Sequence, residues 1–215
     1  MRNKLRVFCF IDGFNMYHAI DELNKDYLKW VNYFGLASAF IKPSQEKLIG
    51  VYYFSAFPHW NQKKLRRHRN FNDAIQAEGV QSVISKFKKK FKECPSCSHQ
   101  WTGHEEKETD VQIALYMLKS VVKKECDKIL LISADSDLVP AVKMTKELSP
   151  NFPIVLLTPP GRSNLARDLK SVSDQWIRIK QKHLERNLLP KKLAYRGRTI
   201  IRPSKYRPPA STIRS

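Results

Sequence analysis

Acidic residues are scarce in this chain, with 20 Asp and Glu set against 39 Lys and Arg among 215 residues and a formal charge of +19. An imbalance of that size points to a polyanionic partner, nucleic acid ahead of an acidic membrane surface. Long apolar runs are also missing. None approaches the roughly 20 residues needed to span a bilayer, so no membrane partner is expected. The opening stretch from Met1 to Ile11 lacks a small-residue cleavage site and reads as a first strand, not a signal peptide. Cysteine is limited to Cys9, Cys94, Cys97 and Cys126, too few and too irregularly spaced for a disulfide framework. A reducing, cytoplasmic setting is expected. Hydrophobic residues still make up 42% of the chain, enough for a buried core.

What is present alternates between strand and helix patterns. Apolar strand-like runs occupy Leu5–Ile11, Lys47–Phe57, Val80–Lys86, Lys128–Ser133 and Ile154–Thr158, with a short edge strand at Trp176–Ile179. Helical spacing covers Asn15–Leu23 with Asn15 as N-cap, Trp30–Phe40, His59–Glu78 closing at Gly79, and Leu138–Leu148, with another helix near Ser163–Leu169. Thr109–Lys123 is the strongest helix, with Val111, Ala114, Leu115, Leu118 and Val122 on one face and a capping-box opening from Thr109 to Gln112. The alternation predicts an α/β fold with a mostly parallel five- or six-stranded sheet and helices on both faces. Residues 1–180 read as the domain. Residues 88–108 read as a looped Cys/His insertion, and 181–215 as a basic extension, without acids and mobile from about Pro190.

The few acids fall at informative places. Asp12 ends the first strand, and Asp135 and Asp137 follow the fourth. Open α/β sheets bind ligands beyond the carboxyl ends of their strands, where strand order reverses, so these carboxylates can meet there. Asp110 starts the helix that feeds the fourth strand and lies at the same rim. Taken singly, each has a plainer use. Asp137 could cap a helix, Asp110 could complement a helix dipole, and Asp12 could form an Asx-turn with Gly13. Gathered at one rim, four carboxylates repel, and Mg²⁺ or Mn²⁺ relieves that repulsion.

Three segments, in this order, resemble the signatures of the NYN family, a branch of the PIN-like nucleases: Ile11-Asp12-Gly13-Phe14-Asn15, Glu105-Glu106-Lys107-Glu108-Thr109-Asp110-Val111, and Ser133-Ala134-Asp135-Ser136-Asp137-Leu138. The resemblance spans roughly residues 5–180. It implies a PIN-like three-layer α/β sandwich and a metal-dependent ribonuclease, an endonuclease in our reading, hydrolysing RNA phosphodiesters with metal-activated water. It also implies metal-binding roles for Asp12, Asp110, Asp135 and Asp137, with Asn15 orienting water or a phosphate. Within the matching segments, Ser133 would supply a hydroxyl behind the metal ligands and Lys107 a phosphate contact. The segment Thr158-Pro159-Pro160-Gly161-Arg162-Ser163 resembles the family's last-strand loop, where a helix starting at Ser163 would offer N–H groups to phosphate.

Two further features stand apart. Cys94, Cys97, His99 and His104 could complete a structural Zn²⁺ site, although the step from Cys97 to His99 is short; a reduced loop, or a half-site completed by a second chain in a homodimer, are the other readings. Basic clusters occur at Lys64, Arg66, Arg67 and Arg69 and at Lys88, Lys89 and Lys90, the latter interleaved with Phe87 and Phe91. Such mixtures suit phosphate contact with base stacking, or else form a lysine face over core-facing aromatics. No nucleotide cofactor is expected. The alternative function is a non-catalytic or weakly catalytic RNA-binding or scaffold protein of the same fold. A haloacid-dehalogenase-type phosphohydrolase would need an Asp two residues after Asp12, where this chain has Phe14.

Overall fold

The computed structural model describes residues 3–210. Its central strand, β1 (Leu5–Asp12), is buried from Val7 to Asp12, as expected for a strand covered on both faces. Parallel neighbours extend the sheet from it. β2 (Glu46–Ala56) and β3 (Gln81–Glu93) lie on one side, and β5 (Lys128–Ile132), β6 (Ile154–Thr158) and β7 (Gln175–Arg178) on the other. β4 (Gln100–Lys107) adds an antiparallel edge, giving seven strands in the order β4-β3-β2-β1-β5-β6-β7.

Alternation along β1 builds the two cores. Val7, Cys9 and Ile11 face α1 (Gly13–Asp21), α2 (Tyr33–Ser38) and α3 (Gln62–Ala77) through Met16, Leu36 and Ile75. Phe8 and Phe10 face α4 (Thr109–Val122), α5 (Val139–Leu148) and α6 (Arg167–Val172) through Ile113, Val142 and Leu169. The result is a three-layer α/β sandwich. The chain runs outward from β1 to β4, then returns to place β5 against the other side of β1. Strand order therefore reverses between β1 and β5, where Ile11 pairs with Ile132.

The structure departs from the sequence expectations at several places. The sheet has seven strands instead of five or six, because the stretch read as a loop forms the long β3–β4 hairpin, pairing Lys86 with Lys107 and Glu93 with Gln100. Its lysines and glutamates lack an apolar alternation, since most of this arm is exposed on both faces. Helix α1 starts two residues early, capped by Asp12 instead of Asn15. The expected Trp30–Phe40 helix is shorter, α2, preceded by a 3-10 turn at Asp26–Lys29. Helix α4 has no capping box. Its N-cap residue, Glu108, takes a left-handed φ of 80°. The apolar face foreseen for α4 divides: Val111, Leu115 and Val122 are exposed, Ala114 packs partly buried against the core, and Ile113, Met117 and Val121 point inward.

The extension expected to be mobile from Pro190 is folded as far as Tyr206; residues 211–215 lie outside the described residues. After α7 (Gln181–Glu185), strands β8 (Lys192–Tyr195) and β9 (Arg198–Ile201) form a hairpin. Its two-residue turn, Arg196-Gly197, has φ of 48° and 76°, the pattern of a tight hairpin turn, and glycine takes it without steric cost. The hairpin buries Leu193 and Ile200, with Tyr206 beyond it, against the α1–α3 face. Trp30 Nε1 donates to the Pro190 carbonyl at 3.0 Å, and Tyr195 bonds Gln76 at 3.1 Å. Three spaced apolar residues among many cations are too sparse a pattern to announce this packing.

Candidate metal centre

At the switch point, the carboxyl end of β1 turns directly into α1. Asp12 belongs to both elements and is only 3% exposed. The Asn15 amide donates to Asp12 Oδ1 at 2.8 Å, and the Ser133 hydroxyl donates to Oδ2 at 2.8 Å. Ser133 follows β5, and its oxygen also accepts the Asp135 amide at 3.1 Å. Asp135 in turn caps the next 3-10 turn, accepting the Asp137 amide at 3.0 Å. Asp110 arrives from across the rim. It shares the inward face of α4 with Ile113, Met117 and Val121, at spacings of 3, 7 and 11 residues, so packing of the helix aims the carboxylate at the sheet edge. Asp12, Asp110 and Asp135 each present an oxygen within 4.8 Å of one another. At Gly13 a Cβ would fall 2.5 Å from the Phe54 carbonyl and the Tyr53 ring, so only glycine allows this close turn.

Burial pushes the Asp12 carboxyl up to about 7, against the two hydrogen bonds that favour its charge and with the neighbouring charges of Asp110 and Glu106. Asp110 is likewise raised, first by burial and then by Asp135 and Asp137. Among the described residues, no cation side chain is a principal electrostatic neighbour of Asp12 or Asp110. An all-oxygen, mutually repelling set suits a hard divalent ion. The Asn15 Oδ1, buried without a hydrogen-bond partner, is a further oxygen beside Asp12. The donor chemistry therefore fits Mg²⁺ or Mn²⁺.

The NYN domain model matches residues 6–180. The chain belongs to the NYN domain family. A solved structure of a protein of unknown function from Vibrio parahaemolyticus has a similar fold, with a TM-score of 0.57 at 16% identity, covering 88% of this chain and all of that one. A comparison with curated proteins finds no match. The NYN match assigns this protein a PIN-like nuclease fold, in which a divalent-metal site is usual.

Other residues expected at the site of this NYN domain divide. Asp137 stands outside the trio: the 3-10 turn leaves it exposed, acting on Asp110 through its charge. The expected four-carboxylate group is thus a group of three. Lys107 turns to the opposite face of β4 from Glu106 and pairs with Glu105 at 3.3 Å, a partner it shares with Lys90 at 3.0 Å. Lys88 lies on that same face, and Lys89 on the face toward the site. Ser163 does not start a helix, since α6 begins at Arg167; its hydroxyl accepts from Lys170 at 2.7 Å and Arg178 at 3.0 Å. Arg162 pairs with Glu22. On α3, Lys64 and Arg67 line a cavity beside the site, whereas Arg66 and Arg69 are exposed, Arg69 over the Phe57 ring. Phe91, read as core-facing, is 85% exposed.

The zinc set does not assemble. Cys94 and Cys97 sit together in the hairpin turn, where Ser98 donates to the Cys94 carbonyl at 2.9 Å and the Cys94 amide to the His99 carbonyl at 2.9 Å. His104 lies further down β4, opposite Lys89, and stacks on Trp60 with ring centroids 3.8 Å apart. Among the described residues, the aspartate trio is the group of three or more such ligands that comes together.

Glu106 is the site residue the sequence reading passed over. It is mostly buried, accepts the Thr109 hydroxyl, and is raised to about 7 by burial, with Asp110 adding to the shift. Its place in the run Glu105-Glu106 gave no sign which glutamate would face inward. Strand alternation on β4 decides it.

Proposed function

We propose that this NYN domain is a metal-dependent ribonuclease that cuts phosphodiester bonds within RNA strands, with Asp12, Asp110 and Asp135 holding Mg²⁺ or Mn²⁺. The observation that carries the proposal is the convergence of these three carboxylates, from three separate elements, to within 4.8 Å. A bound divalent ion supplies Lewis-acid polarisation of phosphate oxygens and an acidified water. The chain's residues supply the setting. Ser133 and the Asn15 amide hold both oxygens of Asp12 in place. Glu106, held by the Thr109 hydroxyl, lies beside the trio, where its carboxyl can orient a water or take up a proton. Lys64, Arg67 and Lys89 provide positive charge on the approach, where RNA phosphates are attracted.

The test is cleavage of labelled linear and circular RNA, single-stranded DNA and duplex DNA by purified protein in Mg²⁺, Mn²⁺ or EDTA. Opening of circular RNA with metal, no products in EDTA, and loss of cleavage in Asp12→Asn and Asp110→Asn support the proposal. Equal cleavage in EDTA, or by either folded variant, overturns it. Binding of RNA with no cleavage under any metal would leave a non-catalytic RNA-binding protein.

A further inference from the structure

Beside the trio, on the α1–α3 side of the sheet edge, lies a cavity of about 280 Å³. Rings dominate its walls. Trp60 and His104 stack nearly parallel, at 12° and 3.8 Å, and Phe87 meets Trp60 edge-on at 4.6 Å. Phe14 extends this wall, 6.3 Å from Phe87. Aromatic side chains in a packed core are covered, yet Trp60 is 45% exposed and Phe14 42%. Partly exposed rings lining a concave surface suit an apolar, flat occupant.

Two walls join this cavity to the carboxylates. Gly13, which lines it, directly follows Asp12. Phe87, which also lines it, is the cross-strand partner of Glu106. Tyr33 and Tyr53, at its inner end, are near enough for the Asp12 charge to act on their hydroxyls. The lining also carries hydrogen-bonding groups, His68 Nε2 and Ser55 Oγ, 3.3 Å apart, and burial keeps the imidazole neutral near pH 7. Lys64 and Arg67 add positive charge suited to a backbone phosphate.

We propose that this cavity takes one unstacked nucleobase of single-stranded RNA, stacked on the Trp60–His104 ring pair, and so sets which phosphate lies at Asp12, Asp110 and Asp135. This rests on the nuclease reading for its substrate. A volume just under the usual range for drug-sized ligands suits a flat, fragment-sized ring. Stacking tolerates any base, so the cavity favours single strands without a sequence code. A-form duplex keeps its bases paired and stacked and cannot offer one.

The test measures binding of a short labelled single strand, and of the same sequence as a duplex, in EDTA. Without metal, the result does not depend on cleavage. Trp60→Ala weakens single-strand binding about tenfold, Trp60→Phe restores most of it, and duplex binding hardly changes. Phe14→Ala, at an exposed side chain, weakens single-strand binding likewise and carries the test should Trp60→Ala fold poorly. Tryptophan fluorescence quenched by the single strand in the native protein, and much less in Trp60→Phe, places the base at that ring. Undiminished single-strand affinity in folded Trp60→Ala or Phe14→Ala, or native binding no tighter to single strand than to duplex, overturns the proposal. Should metal-dependent cleavage fail while these losses appear, the nuclease reading falls and the base pocket stands; the reverse pattern separates them the other way.

Discussion

The Ser133 hydroxyl donates to Asp12 Oδ2 at 2.8 Å across 121 positions of sequence, and both side chains are buried. The same oxygen accepts the Asp135 amide, so one side chain orients one proposed ligand and pins the loop that bears another. Groups that orient metal ligands typically matter by about ten- to a hundredfold in affinity or activity. Ser133→Ala is expected to lower RNA cleavage by that order while RNA affinity in EDTA stays the same. Initial rates and binding curves on the folded variant check this; unchanged rates would show that Asp12 keeps its orientation without the hydroxyl.

Asp110 meets the charges of Asp135 and Asp137 in a half-buried setting. Without metal, ionising it is unfavourable, so Asp110→Asn is expected to raise the melting temperature of the metal-free protein. A divalent ion that binds the native trio raises the melting temperature of the wild type, and the variant should lose that increment. Calorimetry with EDTA and then with Mn²⁺ reads both effects. A full Mn²⁺ response in Asp110→Asn would place the ion elsewhere.

His68 is largely buried, and burial lowers its imidazole from 6.5 to about 4. The unfolded chain therefore binds the proton more readily than the folded one between those values. Stability from keeping this ring neutral is fully present above about pH 6.5 and is lost as pH falls toward 4, by at most about 3 kcal/mol. Urea unfolding of wild type and His68→Gln across that range should show a steeper acid loss in the wild type. Parallel pH profiles would mean that the imidazole titrates normally.

The β8–β9 hairpin places Ile200, 4% exposed, in the main core. Ile200→Ala is expected to cost about 2–4 kcal/mol of unfolding free energy. Truncation before Lys191 should destabilise further, by also removing Leu193 and Tyr206. Denaturant melts decide this, and wild-type stability in the truncated chain would show that the hairpin contributes nothing to the core.

Much of the fold is legible along the chain. The strand-like runs carrying Val7 to Ile11, Lys128 to Ile132 and Ile154 to Thr158 are short, apolar and bounded by turn residues, the mark of strands buried on both faces. The β4 strand and the β8–β9 hairpin were hidden for opposite reasons. β4 is paired but built mainly of polar side chains, none fully buried, so its hydrogen bonds leave no apolar pattern. The C-terminal hairpin buries few residues among many cations, so composition masks its packing.

Sequence by itself determined which residues stand at the carboxyl ends of β1 and β5, because strand length and the turn that follows are local properties. It therefore brought out Asp12, Asp135 and Asp137 as neighbours at one rim. Only tertiary structure decided among them. The phase of α4 against the sheet turned Asp110 inward and Val111 outward; a 3-10 turn left Asp137 in solvent; and alternation on an edge strand set Glu106 beside the aspartates and His104 against Trp60. Orientation depends on which face of an element is covered, and that is settled by packing between segments far apart in the chain.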